Sequence, residues 1–265
     1  MSPPVPRSFA DLIALQRTDD NTFVGRTPDY PWGRVYGGQV VAQSLAAAAV
    51  TVPSDHFVHS LHAYFVLGGV PLEDISFEVD RLREGRSFTT RRVVARQSSG
   101  AILNLDASFQ RIENDVDIQE INVSSDVPAP QTLPESPWPG FGDVREVPHL
   151  LGSARSQMWM RIGSELGDDP VVHACALAYL SDHNPMDAII LSHPASLRWD
   201  DMMSASLDHN VWFHRAVRAD QWMLCDLRGH GLVNARGMAT GSIHSHDGHH
   251  VATIAQEGLV RSPRS

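Results

Sequence analysis

Two helix ends in this chain carry groups that could act on a charged atom. Gly37-Gly38 opens an alanine-rich apolar run from Gln39 to Val50, and glycine lets the unpaired N–H groups of a helix start approach a bound anion closely. That run contains no Asp or Glu between Gly37 and Pro53. A second helical run opens at Asp169-Pro170, where Pro170 has no N–H to offer, and ends in Asp182. One helix therefore supplies a glycine anion cradle, with Gln39 beside it, and the other supplies a carboxylate. Each has a plainer reading as well: a tight turn for the glycines, and a surface helix end for Asp182.

Other reactive side chains narrow the chemistry. All 21 basic residues are arginine, which excludes lysine Schiff-base chemistry and the lysine of a P-loop. Arg81, Arg83, Arg86, Arg91, Arg92 and Arg96 cluster in the first half. Their guanidinium forks suit phosphate oxygens, or they line the solvated faces of paired strands. Of 14 histidines, His244, His246, His249 and His250 surround Asp247-Gly248. An Asp-Gly hairpin tip accounts for them, and no second ligand cluster accompanies them, so no metal is expected. His59 and His62 share one face of a strand, as substrate neighbours or as half-buried strand residues. Trp212, Phe213 and Trp222 are expected in the core or along an apolar tunnel. The absence of Gly-x-Ser-x-Gly removes the main support for a serine nucleophile of the α/β-hydrolase type.

Composition sets further bounds. A net charge of −10 disfavours nucleic acid as a partner. No run of 18 apolar residues could span a bilayer, and the start of the chain lacks the basic and apolar regions of a secretory signal, so a cytoplasmic location is expected. Cys175 and Cys225 read as buried thiols without a disulfide.

The elements that must position these groups repeat. Ser8 and Asp11 make a helix start, and Thr22-Phe23-Val24-Gly25 a short strand. After the Gln39 to Val50 helix come four strand-like runs: Phe57 to Val66, Ile75 to Leu82, Ser87 to Gln97 and Ala101 to Arg111. From Glu113 to Leu150 the pattern gives way to acidic residues and then prolines, as in a surface linker. Beyond it the order recurs: strand Gln157 to Ile162, the helix opened by Asp169-Pro170, then strands from Ser204, Trp222, Leu232 and His250. Ser60 to Gln110 and Ser206 to Gln256 have the same separation, giving a repeat of about 146 residues. A helix wrapped by a bent antiparallel sheet is the hotdog unit. The expectation is an α+β double hotdog, with repeats at 1–112 and 151–265 and a linker at 113–150.

Several motifs resemble the type II (TesB-type) acyl-CoA thioesterases over residues 8 to 262. They are Val35-Tyr36-Gly37-Gly38-Gln39-Val40-Val41, Val58-His59-Ser60-Leu61-His62-Ala63-Tyr64-Phe65, Leu180-Ser181-Asp182, the run Leu207 to Arg215, and the run Ala255 to Arg261. The resemblance implies hydrolysis of fatty acyl-CoA by a water held by an Asp, a Thr or Ser, and a Gln, which fall on Asp182, Ser206 and Gln256. Serine stands where many relatives have threonine and keeps the hydroxyl. One composite site per chain is expected, with the water at Asp182 and the oxyanion or substrate at Gly37, Gly38 and Gln39. No cofactor is expected, and a homo-oligomer is. Asp182-His183-Asn184-Pro185-Met186-Asp187 also resembles the Asp-x-Asn-Pro-x-His motif of hotdog enoyl-CoA hydratases, with Asp187 in the histidine position. A hydratase, or a non-catalytic acyl-CoA-binding protein, is the alternative.

Overall fold

The computed structural model describes residues 6–124, 126–149, 153–191, 193 and 202–261. Helix α1 (Phe9–Ile13) starts as its residues dictate: Asp11 N–H donates to Ser8 Oγ, and Ser8 N–H donates back to Asp11 Oδ2, each at 3.1 Å. Helix α2 (Gly37–Val50) is apolar nearly all round and buried from Gly38 to Ala48, the state such a helix requires in water. Helix α3 (Pro170–Ser181) is capped by Asp169, whose Oδ1 accepts from Val171 N–H at 2.9 Å.

Among the described residues the strands are β1 (Gln16–Asp19), β2 (Thr22–Gly25), β3 (His56–Phe65), β4 (Ile75–Glu84), β5 (Phe88–Gln97), β6 (Gly100–Arg111), β7 (Gly142–Val147), β8 (Arg155–Ile162), β9 (Met203–Ser206), β10 (Asp208–Phe213), β11 (Met223–Val233), β12 (Arg236–Ser245) and β13 (His250–Arg261). They form one antiparallel sheet in the order β1-β2-β4-β5-β6-β3-β10-β13-β12-β11-β8-β7, with β9 on β13. Read from its two edges toward the β3·β10 seam, the order is the same in each half. The fold is a double hotdog: α2 packs on β2 to β6, and α2 and α3 pack on each other.

Several differences from the sequence reading have local causes. The stretch read as a linker contains a 3-10 turn (Pro130–Thr132) and β7, which forms the second outer edge of the sheet against β8. A strand expected from Leu232 starts later, because Asn234 and Ala235 make the hairpin turn with φ of 51° and 61°. A fourth helix, α4 (Pro185–Leu191), follows α3 after a break at Asp182 to Asn184 and covers β11, β12 and β13. Pro185 has no N–H and disfavours helical geometry at Asn184, so α3 stops before it and Asp182 becomes a cap. The repeat shift of 146 fails at Gln110. β13 turns Ala252, Ile254 and Gln256 inward, whereas β6 turns Leu103, Leu105, Ala107 and Phe109 inward. An even shift from Gln256 therefore lands on the outer face.

The arginine cluster is mostly an outer-face network. Arg92 pairs with Asp106, Arg96 with Glu78, and Arg81 Nε donates to Asn21 Oδ1. Both cysteines are buried and unpaired.

Candidate active site

The start of α2 meets the end of α3, and two glycines make that meeting possible. A Cβ on Gly38 would lie 2.3 Å from Tyr179 O, and one on Gly37 would lie 2.6 Å from Asp182 Oδ2. Gly38 is thus a close-packing glycine, and Gly37 is the seat of the Asp182 carboxylate. Tyr36, the residue before α2, donates its hydroxyl to Tyr179 O at 2.8 Å, bonding one of the carbonyls that a helix end leaves unpaired. Burial pushes the Asp182 carboxyl up to about 7, against the downward pull of the Gly38 backbone N–H and the Gln256 amide. Asp182 Oδ1 is buried with no hydrogen-bond partner among the described residues.

Strand register brings Gln256 to Asp182 and Ser206 to Gln256. β9 lies on β13 with Ser206 opposite Gly258, and Gln256 Nε2 donates to Ser206 Oγ at 2.7 Å. Gln256 is 1% exposed. Behind it lies a residue to which the sequence reading gave no role. His209 of β10 has Nδ1 2.6 Å from Gln256 Oε1 and Nε2 2.8 Å from Ser181 Oγ, and burial lowers its pKa to about 4. Alternation on β10 puts it on the inward face with Val211, which is the signal that could have found it.

Gln39 does not fit the substrate role expected of it. Its side chain is fully buried and accepts from Tyr30 Oη at 2.8 Å while donating to Gln43 Oε1, Arg26 O and Thr27 Oγ1. Its backbone N–H is taken by Tyr36 O at 3.1 Å. The amide is used in tying α2 to the 26–30 loop.

A cavity of about 560 Å³ opens at this point. Asp182, His183 and Ser206 bring polar groups to it, and Trp32, Tyr36, Phe65, Leu67, Ile102, Trp138 and Met186 line the rest. Trp138 comes from the proline-rich stretch between the repeats. Its ring lies 4.6 Å from that of His183 and 5.5 Å from those of Tyr36 and Tyr179, and Gly140 and Gly142 leave room for it. Arg34 also lines the cavity and is exposed, donating to Ser204 O at 3.3 Å. Of the aromatics expected in the core or along a tunnel, Phe213 packs on the main core and Trp222 on the smaller cluster of Leu133, Trp159 and Leu224, under Arg161 and Arg145, while Trp212 packs on His62; none lines the cavity. His59 and His62 do share a face, because a bulge at Val58/Ser60 turns His59 outward. There His59 meets Ser108 and His62 meets Asn210, away from the cavity. The hairpin at Asp247-Gly248 is present, with Ser245 N–H donating to His249 O at 2.9 Å. Among the described residues no group of three or more His, Cys, Asp or Glu is placed to hold a metal ion.

An apolar cavity with a raised carboxyl at one end suits a ligand with a long apolar part and a hydrolysable group. Comparison with known proteins agrees with that geometry. Residues 26–110 match the family described as Acyl-CoA thioesterase N-terminal domain, and residues 143–259 match Acyl-CoA thioesterase. Acyl-CoA thioesterase 2 of Haemophilus influenzae is 34% identical over 94% of this chain and 96% of its own. The human acyl-coenzyme A thioesterase 8 is 32% identical over 94% of this chain and 88% of its own. The crystal structure of acyl-CoA thioesterase II TesB2 from Mycobacterium marinum superposes with a TM-score of 0.85 at 37% identity, covering 97% of this chain and 98% of that one. A hot dog fold protein from Alicyclobacillus acidocaldarius, 22% identical with a TM-score of 0.81 over 98% of this chain and 100% of its own, shares the fold. The chain belongs to the TesB-type acyl-CoA thioesterase family.

Proposed function

We propose that this protein hydrolyses fatty acyl-CoA at one composite site per chain, with Asp182 as the general base. The observation that carries this reading is the Asp182 carboxyl, buried at the polar end of an apolar cavity and seated beside the Ser206–Gln256 pair. The acyl chain lies along the aromatic and aliphatic walls, and the thioester carbonyl reaches the polar end. The Asp182 carboxylate accepts a proton from water as the water oxygen attacks the carbonyl carbon. A pKa of about 7 makes the group a base at neutral pH without trapping the proton. Ser206 Oγ accepts from Gln256 and so has its own hydrogen free to donate, to the water or to the developing oxyanion. The N–H of Gly37, at the open start of α2, is the second oxyanion donor. Collapse of the tetrahedral intermediate breaks the C–S bond and releases coenzyme A as the thiol, the proton on Asp182 returning to the leaving sulfur.

Arg34, at the cavity and exposed, is placed for a phosphate of the coenzyme. We assign the repeats to 1–112 and 151–265, with β7 joining the second at its outer edge, the location to the cytoplasm and the assembly to a homo-oligomer, which light scattering tests. The hydratase alternative gains no support, since Asp187 does not line the cavity. Release of free thiol from a series of acyl-CoA lengths tests the function. Steady release that Asp182→Asn abolishes is expected. Consumption of enoyl-CoA without thiol release would replace the reading, and binding without turnover would leave a sensor.

A further inference from the structure

His209 occupies an interior position where the fold makes no demand for a polar group. It is fully buried, and Val211, two residues along on the same face, is fully buried and apolar. In the first half, β3 turns Leu61 and Ala63 to the interior beside the same seam. An imidazole placed there costs free energy unless both ring nitrogens are bonded. Both are, to Gln256 Oε1 at 2.6 Å and to Ser181 Oγ at 2.8 Å.

Donor counting gives this chain a direction. A carbonyl oxygen only accepts, so Gln256 Oε1 requires the ring proton on His209 Nδ1. Nε2 is then left to accept from Ser181, whose single hydroxyl hydrogen is shared between Nε2 at 2.8 Å and Ala178 O at 3.0 Å. With Oε1 engaged by the histidine, the NH₂ of Gln256 faces Ser206 and Asp182. A reversed amide would turn a carbonyl oxygen toward the carboxylate and remove the donor to Ser206 Oγ. We propose that His209 is a positioning residue, which fixes the amide of Gln256 with its nitrogen toward Ser206 and Asp182 through the buried chain Ser181–His209–Gln256. The inference rests on the reading above, in which Asp182 activates the water beside the Ser206–Gln256 pair.

The titratable groups facing Asp182 are Tyr36 before α2, His209 on β10 at 3.9 Å, and its neighbour His183. Burial keeps all three neutral around pH 7, the tyrosine well above its ordinary value and the histidines near 4. A limb near neutrality therefore reports Asp182, and the Gln256 amide is one of the groups that lower it.

The test compares His209→Leu, which keeps bulk without a donor, with His209→Gln, which can donate an amide N–H to Oε1. Both are first shown to unfold in a single transition. His209→Leu is expected to lower kcat by roughly 10- to 100-fold, with KM within about twofold, and to move the acid limb of the pH–rate profile upward. His209→Gln is expected to recover most of kcat and the original limb, and ¹⁵N NMR of the wild-type protein to show the Nδ1–H tautomer. An unmoved limb in His209→Leu, a Gln variant no better than Leu, or an Nε2–H tautomer would overturn the inference. If wild-type protein releases no thiol from any acyl-CoA, the functional reading falls instead, and the tautomer alone decides the hydrogen-bond chain.

Discussion

Helices α2 and α3 end in similar turns with opposite surroundings. α2 closes at Thr51, and beside it the fully buried guanidinium of Arg91 fills the space. Nε donates to Thr51 Oγ1 and Nη2 to Thr51 O, each at 2.7 Å, while Nη1 reaches Arg83 O and Thr90 O at 3.1 Å. Glu84, half exposed, completes the set at 2.6 Å. α3 closes at Asp182, whose Oδ1 has no hydrogen-bond partner among the described residues and which borders the cavity. A repeated fold makes such helix ends twice. Where every donor and acceptor is answered from within, the end is structural; where a carboxylate is left half answered beside a cavity, it has chemistry to do.

The comparison breaks most visibly at the two cap residues. Asp182→Asn is expected to lower kcat by roughly 100-fold or more, while Thr51→Val stays within about twofold of wild type. Thiol-release assays on both settle it, and an active Asp182→Asn would move the base elsewhere. Gly37→Ala should follow, because its Cβ would press on Asp182 Oδ2 and displace the carboxylate. A shift of about an ångström costs up to roughly 100-fold, so a variant with unchanged kcat would show that the carboxylate's seat is unimportant.

The opposite end answers to stability rather than rate. Arg91→Ala leaves Thr51 O and a side-chain-sized hole without partners, and should cost about 3 kcal/mol in denaturant unfolding. Its kcat per folded molecule should hold, and a loss of rate would mean that the plugged end reaches the chemistry. Asp182 works against stability in its own half. Its folded pKa of about 7 lies above the unfolded value of 3.8, so the folded protein binds the extra proton and its contribution is full below pH 3.8. That contribution is lost as pH rises through 7. Asp182→Asn should therefore be more stable than wild type above pH 7 and equal to it near pH 3, whereas wild-type rate should climb through pH 7. Equal midpoints at pH 8 would mean that the carboxyl is not raised. The smallest effect belongs to Gln110→Ala and Ser60→Ala, expected within about twofold in rate, since Gln110 lies on the outer face.

Much of this was legible from residue types alone. The capping box of Ser8 and Asp11, the Asp169-Pro170 start and the buried apolar run of α2 follow from local chemistry. Asp182, Ser206 and Gln256 came from motif resemblance, and the fold brings them together. What escaped has physical causes. A count of residues ignores which face a strand residue takes, so Gln110 looked equivalent to Gln256. The glutamine after two glycines looked like a binding group, yet Tyr30, Arg26 and Gln43 surround it in space. Trp138 sits in a stretch whose prolines signal irregular backbone, and irregular backbone can still place a ring. His209 lies within the Leu207 to Arg215 motif, but its partners are 28 and 47 residues away in the chain, beyond the reach of any local pattern.

The seam between β3 and β10, paired from Asp208↔Tyr64 to Trp212↔Ser60, has a consequence for how such a site can change. In two identical units docked by symmetry, any substitution at one helix end appears at the other, and dilution can separate the pieces that share the site. Joined in one chain, the two halves stay at fixed local concentration however dilute the protein is. A mutation in one is then not copied into the other. Thr51 and Asp182 could diverge, one toward a sealed joint and the other toward a reactive carboxylate, only because the copies no longer had to be alike.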